Sequence, residues 1–354
     1  MDLGPDTPAN RVELCRTLRA ASSAGRPVRI AGGSSGGRCG RRARADVEVV
    51  NTHGFDRIIG HEPADLVVTV EAGVPVALLQ DGLAIHGQTW IQAPSIPGST
   101  VGGLLARAAS GHRRLRYGAL RDSVLQVVVA TGDGRLVSAG GKTVKGVAGY
   151  DIPRLVVGSH GALGVIVEVT LKLWPVPATS GWFTARGGTA ELADLGEAVR
   201  RSVHQPGSVL LGPDRLDVEL IGAAADLVAP AGMTVGEAPP VVVADGLLEV
   251  GVPPAALPEF AVRLARRDYA FQAQLGVGTC MVAIGDRDQR DEVRAIAITA
   301  GGHAVLVDGP DELRDDPWGP PPAGLDIMRR LKAAFDPAGI LNCGQFIGDP
   351  IGTP

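Results

Sequence analysis

The sequence predicts an α+β protein built in two parts, and three observations carry this. At 354 residues the chain is too long for one comfortable hydrophobic core. Between Pro94 and Pro175 two glycine-dense turns, Pro97-Gly-Ser-Thr-Val-Gly-Gly103 and Gly158-Ser-His-Gly-Ala-Leu-Gly164, each feed a regular element, with a β-rich segment between them. Beyond Pro175-Val-Pro177 the elements shorten, proline rises, and Ala/Asp/Glu-rich helices alternate with strands, the pattern of an α+β unit with a mostly antiparallel sheet. The expected division is therefore 1–176 and 177–354.

Taken in order, Thr7 followed by Pro8 predicts a helix cap with proline at the first helical position. Leu14, Cys15, Leu18 and Ala21 then recur at helical spacing, and Gly25 should end the helix. Pro27–Ala31 reads as a short strand running straight into Gly32-Gly-Ser-Ser-Gly-Gly37. That turn matches neither the G-x-G-x-x-G fingerprint nor a Walker loop, and by itself it serves equally as a phosphate cradle or as a plain turn. Val47–Val50 and Leu66–Val70 read as strands, and Glu71-Ala-Gly73 turns into a helix with Val76, Leu79 and Leu83 as its buried stripe. The small and apolar run Leu104–Ala109 suits a helix. Val124–Thr131 and Arg135–Ser138 flank Gly132-Asp-Gly134, a hairpin signal. A glycine-rich stretch from Gly140 to Tyr150 carries Lys142 and Lys145 and leads to a short element at Arg154–Val157. Val165–Leu173 alternates like a half-buried strand. In the second part, helices are expected at 191–203 and 258–267 and strands at 217–221, 246–250, 279–284 and 304–307. The tail 327–335 is an amphipathic helix stopped by Asp336-Pro337.

Composition narrows the function. A hydrophobic share of 45%, a charged share of 20% and a net charge of −4 describe an ordinary globular protein without the basic footprint of a nucleic-acid binder. The cysteines, Cys15, Cys39, Cys280 and Cys343, show no Cys-x-x-Cys spacing, which argues against a zinc site or an iron–sulfur cluster in this chain and fits a reducing compartment. The first residues lack the basic start and apolar run of a signal peptide, and no stretch reaches the roughly 18 apolar residues of a membrane span. A cytoplasmic protein is expected, with any membrane contact made through a partner. A glycine has no Cβ, so a ligand can approach the backbone there, and exposed N–H groups at a helix start can hold an anion. Two such turns imply a ligand too long for one cradle, such as a dinucleotide.

Together, Pro97–Gly103, Arg114-Leu-Arg-Tyr-Gly118, Gly141–Arg154 and Gly158–Lys172 resemble the FAD-binding domain of the vanillyl-alcohol oxidase/PCMH flavoproteins, and within it the glycolate oxidase FAD-binding subunits. The tail Leu331-Lys-Ala-Ala-Phe-Asp-Pro-Ala-Gly-Ile-Leu-Asn342 resembles that family's ending. The resemblance implies a PCMH-type domain of two α/β subdomains over 1–176 and a smaller α+β cap domain over 177–354, with the tail 325–348 returning to the first. It implies FAD stretched between the subdomains with its ring facing the cap. Gly32, Gly33, Ser34, Ser35, Gly36 and Gly37, with Pro97, Gly98, Ser99, Thr100, Gly102 and Gly103, would surround the pyrophosphate and ribityl region. Tyr117, Gly118 and Asp122 would lie along the cofactor, and Gly158, Gly161, Gly164 and the backbone of Ile166 and Val167 would hold the adenosine end. Covalent members attach flavin through a histidine in the first glycine loop; Ser34 and Ser35 stand there in this chain, which implies noncovalent FAD. Where the family tail usually reads Asn-Pro-Gly-Arg, this chain has Asn342-Cys-Gly-Gln345.

Oxidising a 2-hydroxy acid requires a base for the hydroxyl proton and a cation for the carboxylate. The self-sufficient relatives carry a His-x-Gly-Asp-Gly-Asn-x-His type segment in the second domain; the nearest stretch, Ala273-Gln-Leu-Gly-Val-Gly278, keeps the glycines and no histidine. Lys145, His160 and His303 are the candidates for catalysis, and Arg113, Arg114 and Arg116 could anchor a carboxylate or meet the phosphates. Each has an ordinary reading beside it, a loop histidine or a solvated charge run. Two functions follow: the flavin subunit of a glycolate-type 2-hydroxy-acid oxidoreductase, or a flavin-carrying accessory subunit supporting a sister flavoprotein chain and an iron–sulfur chain. A stand-alone FAD oxidoreductase on another small alcohol is a third.

Overall fold

The computed structural model describes residues 7–36, 38–41, 47–141, 150–202, 205–224 and 227–348. Its first layer opens with α1 (Arg11–Ala24), β1 (Val28–Ala31) and β2 (Glu48–Asn51), the two strands pairing in parallel. The helix begins later than Thr7-Pro8 implies. Asn10 is the cap, its side chain accepting from the N–H groups of Val12 and Glu13, and Gly25 ends the helix in the left-handed region at φ 62°. Asn outcompetes Thr here because its carbonyl satisfies two orphan donors at once. Leu14, Cys15, Leu18 and Ala21 pack on Val28, Val50 and Phe55, with Ile340 and Leu341 of the tail in the same cluster.

Next come β3 (Ile58–Glu62), β4 (Val67–Glu71), α2 (Val76–Ala84), a short β5 (Gln88–Thr89), α3 (Val101–Arg107), α4 (Arg114–Tyr117), β6 (Val124–Ala130), β7 (Leu136–Gly140), α5 (Ile152–Val156), β8 (Val165–Lys172) and β9 (Trp174–Pro175). Five of these strands form a sheet in the order β3-β4-β8-β6-β7, with antiparallel neighbours. β8 sits at its centre, paired on both sides, and six of its eight residues are buried, so it is a core strand and not the half-buried one its alternation implied. Its Thr170, which reads as solvent-facing, is buried and shares a hydrogen bond with Thr69 across the pair. The Val76, Leu79, Leu83 stripe of α2 and Val101, Leu104 and Leu105 of α3 close one face of this sheet around Trp90. The segment 142–149, with Lys142 and Lys145, lies outside the described residues.

The remaining strands, β10 (Thr179–Arg186), β11 (Ser208–Leu211), β12 (Arg215–Gly222), β13 (Thr234–Gly236), β14 (Gly246–Gly251), β15 (Phe271–Gln274), β16 (Thr279–Ile284) and β17 (His303–Asp308), make one sheet in the order β13-β10-β12-β11-β15-β16-β14-β17. All its pairings are antiparallel. α6 (Thr189–Arg200), α7 (Leu257–Ala265) and α8 (Arg287–Thr299) belong to this part, and buried residues from all three share one core with Val218, Leu248, Val250, Val282 and Leu306. That core takes one face of the sheet. The other face carries Glu219, Ser208, Gln274, Thr279, Glu249 and His303, the alternate residues of the same strands, and turns toward the first layer. α9 (Leu325–Phe335) follows, and the chain then returns to the first layer: Leu341 bridges in parallel to Val28 and Asn342 N–H donates to Val28 O. The result is a mixed α+β molecule with mostly antiparallel sheets.

Candidate functional site: a cleft over the first glycine turn

β1 ends at Ala31, and the chain then runs as an open turn through Gly32, Gly33, Ser34, Ser35 and Gly36. None of these five backbone N–H groups donates to another group among the described residues. Unpaired amides in a row are costly unless something accepts from them, and successive N–H groups on a glycine-rich turn form an anion nest. The glycines are fixed by close approach of the protein to itself. A Cβ on Gly33 would run into the Gly98 carbonyl, and one on Gly32 would stand 2.7 Å from Thr100 Oγ1. The turn after β1 and the turn before α3 therefore lock together, which holds the amides outward.

The cleft over this turn is walled by Gly102 and Gly103 at the start of α3, by Gly161, Gly164 and Ile166, and by the tail residues Asn342 and Gln345. Three guanidinium groups border it: Arg29, Arg107 and Arg314. Arg107 ends α3, and a Cβ on Gly36 would stand 2.5 Å from its Nη1. Arg314 donates to the carbonyls of Gly40 and Arg41, fixing the loop that follows the nest. Nest and arginines fit a pyrophosphate, which needs converging N–H donors and compensating positive charge.

The other expected positions spread out. Gly37 and Lys145 lie outside the described residues. Pro97, Gly98, Ser99 and Thr100 form the locking turn: Ser99 and Thr100 are buried, and Thr100 caps α3 by accepting from Gly103 N–H. Tyr117 stacks edge-on against Trp174, its ring 5.0 Å away, and Asp122 accepts from Ala119 N–H and pairs with Arg154. Gly118 N–H donates to Arg114 O, and Gly158 N–H to Leu105 O. Val167 sits in the core and its carbonyl accepts from Ala72 N–H. These positions do not line the cleft, whereas Gly32–Gly36, Gly102, Gly103, Gly161, Gly164 and Ile166 do.

His160 also lines the cleft, in the left-handed region at φ 52°, with its ring 5.1 Å from Trp318 and its Nδ1 3.7 Å from Cys39 Sγ. Burial, helped by the Arg107 charge, lowers its pKa to about 4, and burial pushes the Cys39 thiol up, so both are neutral at pH 7. His303 is exposed at the start of β17, opposite Gly251 of β14, and does not line the cleft. Sequence reasoning missed Arg29, Arg107 and Arg314, and noted Gln345 only as a departure in the family tail. Arg107 ends the helix that the second glycine turn opens, and its position there was readable; Arg314 and Gln345 reach the cleft only through long-range folding.

Nest, arginines and cleft fit a dinucleotide's pyrophosphate, and comparisons with known proteins say which one. Residues 6–140 match the FAD binding domain family, and residues 320–346 match the C-terminal domain of FAD linked oxidases. The chain is 27% identical over 348 residues to glycolate oxidase subunit GlcE of Escherichia coli, covering 95% of this chain and 97% of that protein. It is 35% identical over 169 residues to D-lactate dehydrogenase of Archaeoglobus fulgidus, covering 48% of this chain and 38% of that one. Its fold is similar to alkyldihydroxyacetonephosphate synthase, with a TM-score of 0.64 at 15% identity over 94% of this chain and 75% of that chain. The chain thus carries both domains found in FAD-linked oxidases and is similar to a glycolate oxidase subunit along nearly its whole length. It is an FAD-dependent oxidoreductase, and among its described residues no helix is long and apolar enough to cross a membrane.

Proposed function

We propose that this chain is the FAD-carrying subunit of a glycolate oxidase-like assembly, acting on a small 2-hydroxy acid such as glycolate and passing electrons to a sister flavoprotein chain and an iron–sulfur chain. The observation that carries the reading is the run of five unpaired amides, Gly32 to Gly36, beside Arg107, Arg314 and Arg29. Near end-to-end similarity to a glycolate oxidase subunit supports the assembly and the substrate class.

In this reading the amides of Gly32–Gly36 donate to the pyrophosphate oxygens, Arg107 and Arg314 neutralise their charge, and Gly161, Gly164 and Ile166 leave room for the adenosine end. Asn342 closes the cleft from the tail: its Oδ1 accepts from Ile30 N–H, and its Nδ2 donates to His160 O. When bound, FAD supplies a two-electron acceptor for oxidation of an alcohol carbon. His160, neutral and lining the cleft, serves the cofactor, His303 on the large sheet serves the substrate end, and Lys145 remains the candidate cation for the carboxylate. No histidine or cysteine stands in the Ser34-Ser35 positions, so the flavin is held without a covalent bond.

One observation favours a second reading. The Ala273–Gly278 hairpin lacks the histidines of self-sufficient relatives, which suits an accessory chain without a substrate of its own. Anaerobic mixing of purified flavin-loaded chain with glycolate and with D-lactate separates the two. Bleaching of the flavin by the isolated chain supports a working site; bleaching only after partner chains are added supports the accessory role.

A further inference from the structure

Three arginines lie on one face of α8, Arg287, Arg290 and Arg294, spaced three and four residues apart. Arg290 and Arg294 are each only 5% exposed, although the core of the large sheet takes its contacts from Val293, Ile296 and Ala297 of the same helix. Burying a guanidinium is costly unless its donors are met, and an apolar residue of like volume is often as stable or more so. The core alone does not account for them. What they hold is an irregular segment, 311–319. Arg290 donates to Leu313 O at 3.0 Å and to Asp315 Oδ1 at 2.5 Å. Arg294 donates to Asp316 Oδ2 at 2.8 Å and to Asp316 O at 2.7 Å. Arg287 donates to Glu312 O, and the amide of Leu306, on the edge strand β17, donates to Pro317 O. Gly319 closes the run: its N–H donates to Asp316 Oδ1, and a Cβ there would stand 3.3 Å from Arg294 Nε.

The same segment reaches the cofactor cleft. Arg314, between the clamped positions Leu313 and Asp315, borders the cleft and donates to Gly40 O at 2.9 Å and to Arg41 O at 3.0 Å. Those carbonyls belong to the turn leaving the nest, where Cys39 N–H donates back to Gly36 O and Arg41 N–H donates to Gly344 O of the tail. Trp318, two residues past clamped Asp316, is buried with its ring 5.1 Å from that of His160, which lines the cleft. Its Nε1 has no hydrogen-bond partner among the described residues, so packing and the segment that carries it set where the ring lies. A stretch without regular backbone pairing keeps conformational freedom, and the charged bonds from α8 take that freedom up.

We infer that Arg290 and Arg294 are positioning residues for the cofactor cleft: by clamping Asp315 and Asp316 they hold Arg314 against the exit of the nest and Trp318 against His160. For the identity of the ligand the inference rests on the flavin reading above; for the clamp it does not. Neither arginine lines the cleft. They act from α8, in the layer of the large sheet, and through segment 311–319 that layer sets the geometry of a diphosphate seat on the other side.

Titration of the full-length apo-chain with FAD and with riboflavin, alongside amide hydrogen exchange, tests this. D315N/D316N alters only the outer, carboxylate end of the clamp and leaves both buried arginines their carbonyl partners. In it FAD should bind about tenfold more weakly, and riboflavin, which has no diphosphate, as in wild type. Exchange of the Cys39 and Arg41 amides should quicken while that of β16 stays as slow as in wild type. R290M, which removes a buried donor, should lose more FAD affinity, and R290K, which keeps the charge without the planar fork, should recover part of it. Melting temperature is read on each variant, and if R290M does not fold, D315N/D316N decides. A ratio of FAD to riboflavin affinity in D315N/D316N equal to that of wild type, or a loss shared equally by both flavins, overturns the inference. A wild-type chain that takes up neither flavin would sink the flavin reading instead; exchange, which needs no cofactor, then decides, and unchanged rates at Cys39 and Arg41 overturn the clamp as well.

Discussion

Arg107 ends a helix, and by sequence alone it is an unremarkable surface charge; the structure sets it against Gly36 and 3.4 Å from Ser35 Oγ. R107M should weaken FAD by about 1.5–3 kcal/mol, the worth of a charge-assisted hydrogen bond, in a fluorescence titration of the apo-chain, with little change in unfolding. His160 makes a prediction in pH. Its folded pKa, about 4, lies below the unfolded value of 6.5, so the unfolded chain takes up the proton first. The stability tied to neutral His160 is complete above about pH 6.5 and drains away as pH falls toward 4. Urea melts of the apo-chain at pH 7.5 and 5.0 should show wild type losing about 1–2 kcal/mol relative to H160Q, and an equal loss in both would contradict the burial of the ring. The residue scale is also where sequence reading was least secure. Gly33 reads as a ligand-facing glycine, yet its missing Cβ makes room for the Gly98 carbonyl, a contact between turns 65 positions apart that no local pattern encodes.

Among elements, those with a strong local period were legible and those shaped by tertiary pairing were not. The buried stripe of α2, the Gly132-Asp-Gly134 hairpin and β16 at Thr279–Ile284 fall where the sequence puts them. The true cap of α1 was missed because Asn10 sits two residues beyond a Thr-Pro pair that looks equally good. β3 was missed because its two exposed isoleucines and its irregular pairing with β4 blur the alternation. Short α5 read as an unassigned element, since five residues give too little period to tell a helix from a strand. The tail tests whether an element far away in sequence completes the cleft. Asn342 ties Ile30 to the His160 loop, so N342A should cost about 1–3 kcal/mol in chemical unfolding and lower FAD retention together, through a donor and an acceptor left unpaired. Loss of flavin without loss of stability would mean that the tail touches the cofactor and does not brace the loops.

At the scale of the whole molecule, polar contacts clamp the first layer to the large sheet, among them Arg38 with Asp308 and Arg113 with Glu219. Glu219 is buried at 1% exposure, and its partner Arg113 comes from the other layer. Burial raises the Glu219 pKa, but the hydrogen bonds from Arg113, with His112 Nε2 3.3 Å away, outweigh it and hold the carboxyl below the usual carboxylate range. Removing one partner of a buried pair costs about 3–5 kcal/mol, because the other is left charged and alone. E219Q should therefore destabilise the chain in guanidinium unfolding more than R113M/E219L does, and the reverse order would remove this pair from the clamp. The two-part plan was visible in the change of pattern after Pro177. The seat of the cofactor was visible as glycine clusters whose amides can hold an anion; the arginines beside them were not, since they come together from β1, α3 and position 314.

The central claim is that the unpaired amides of Gly32–Gly36 grip a diphosphate. Its most direct test is a parallel titration of the apo-chain with FAD and with riboflavin, which carries the same ring and no phosphate. One equivalent of FAD should bind at least about a hundredfold more tightly than riboflavin, an advantage of about 2.7 kcal/mol, and lose that advantage in G33V. Equal affinity for the two flavins, or no uptake of either, would contradict it.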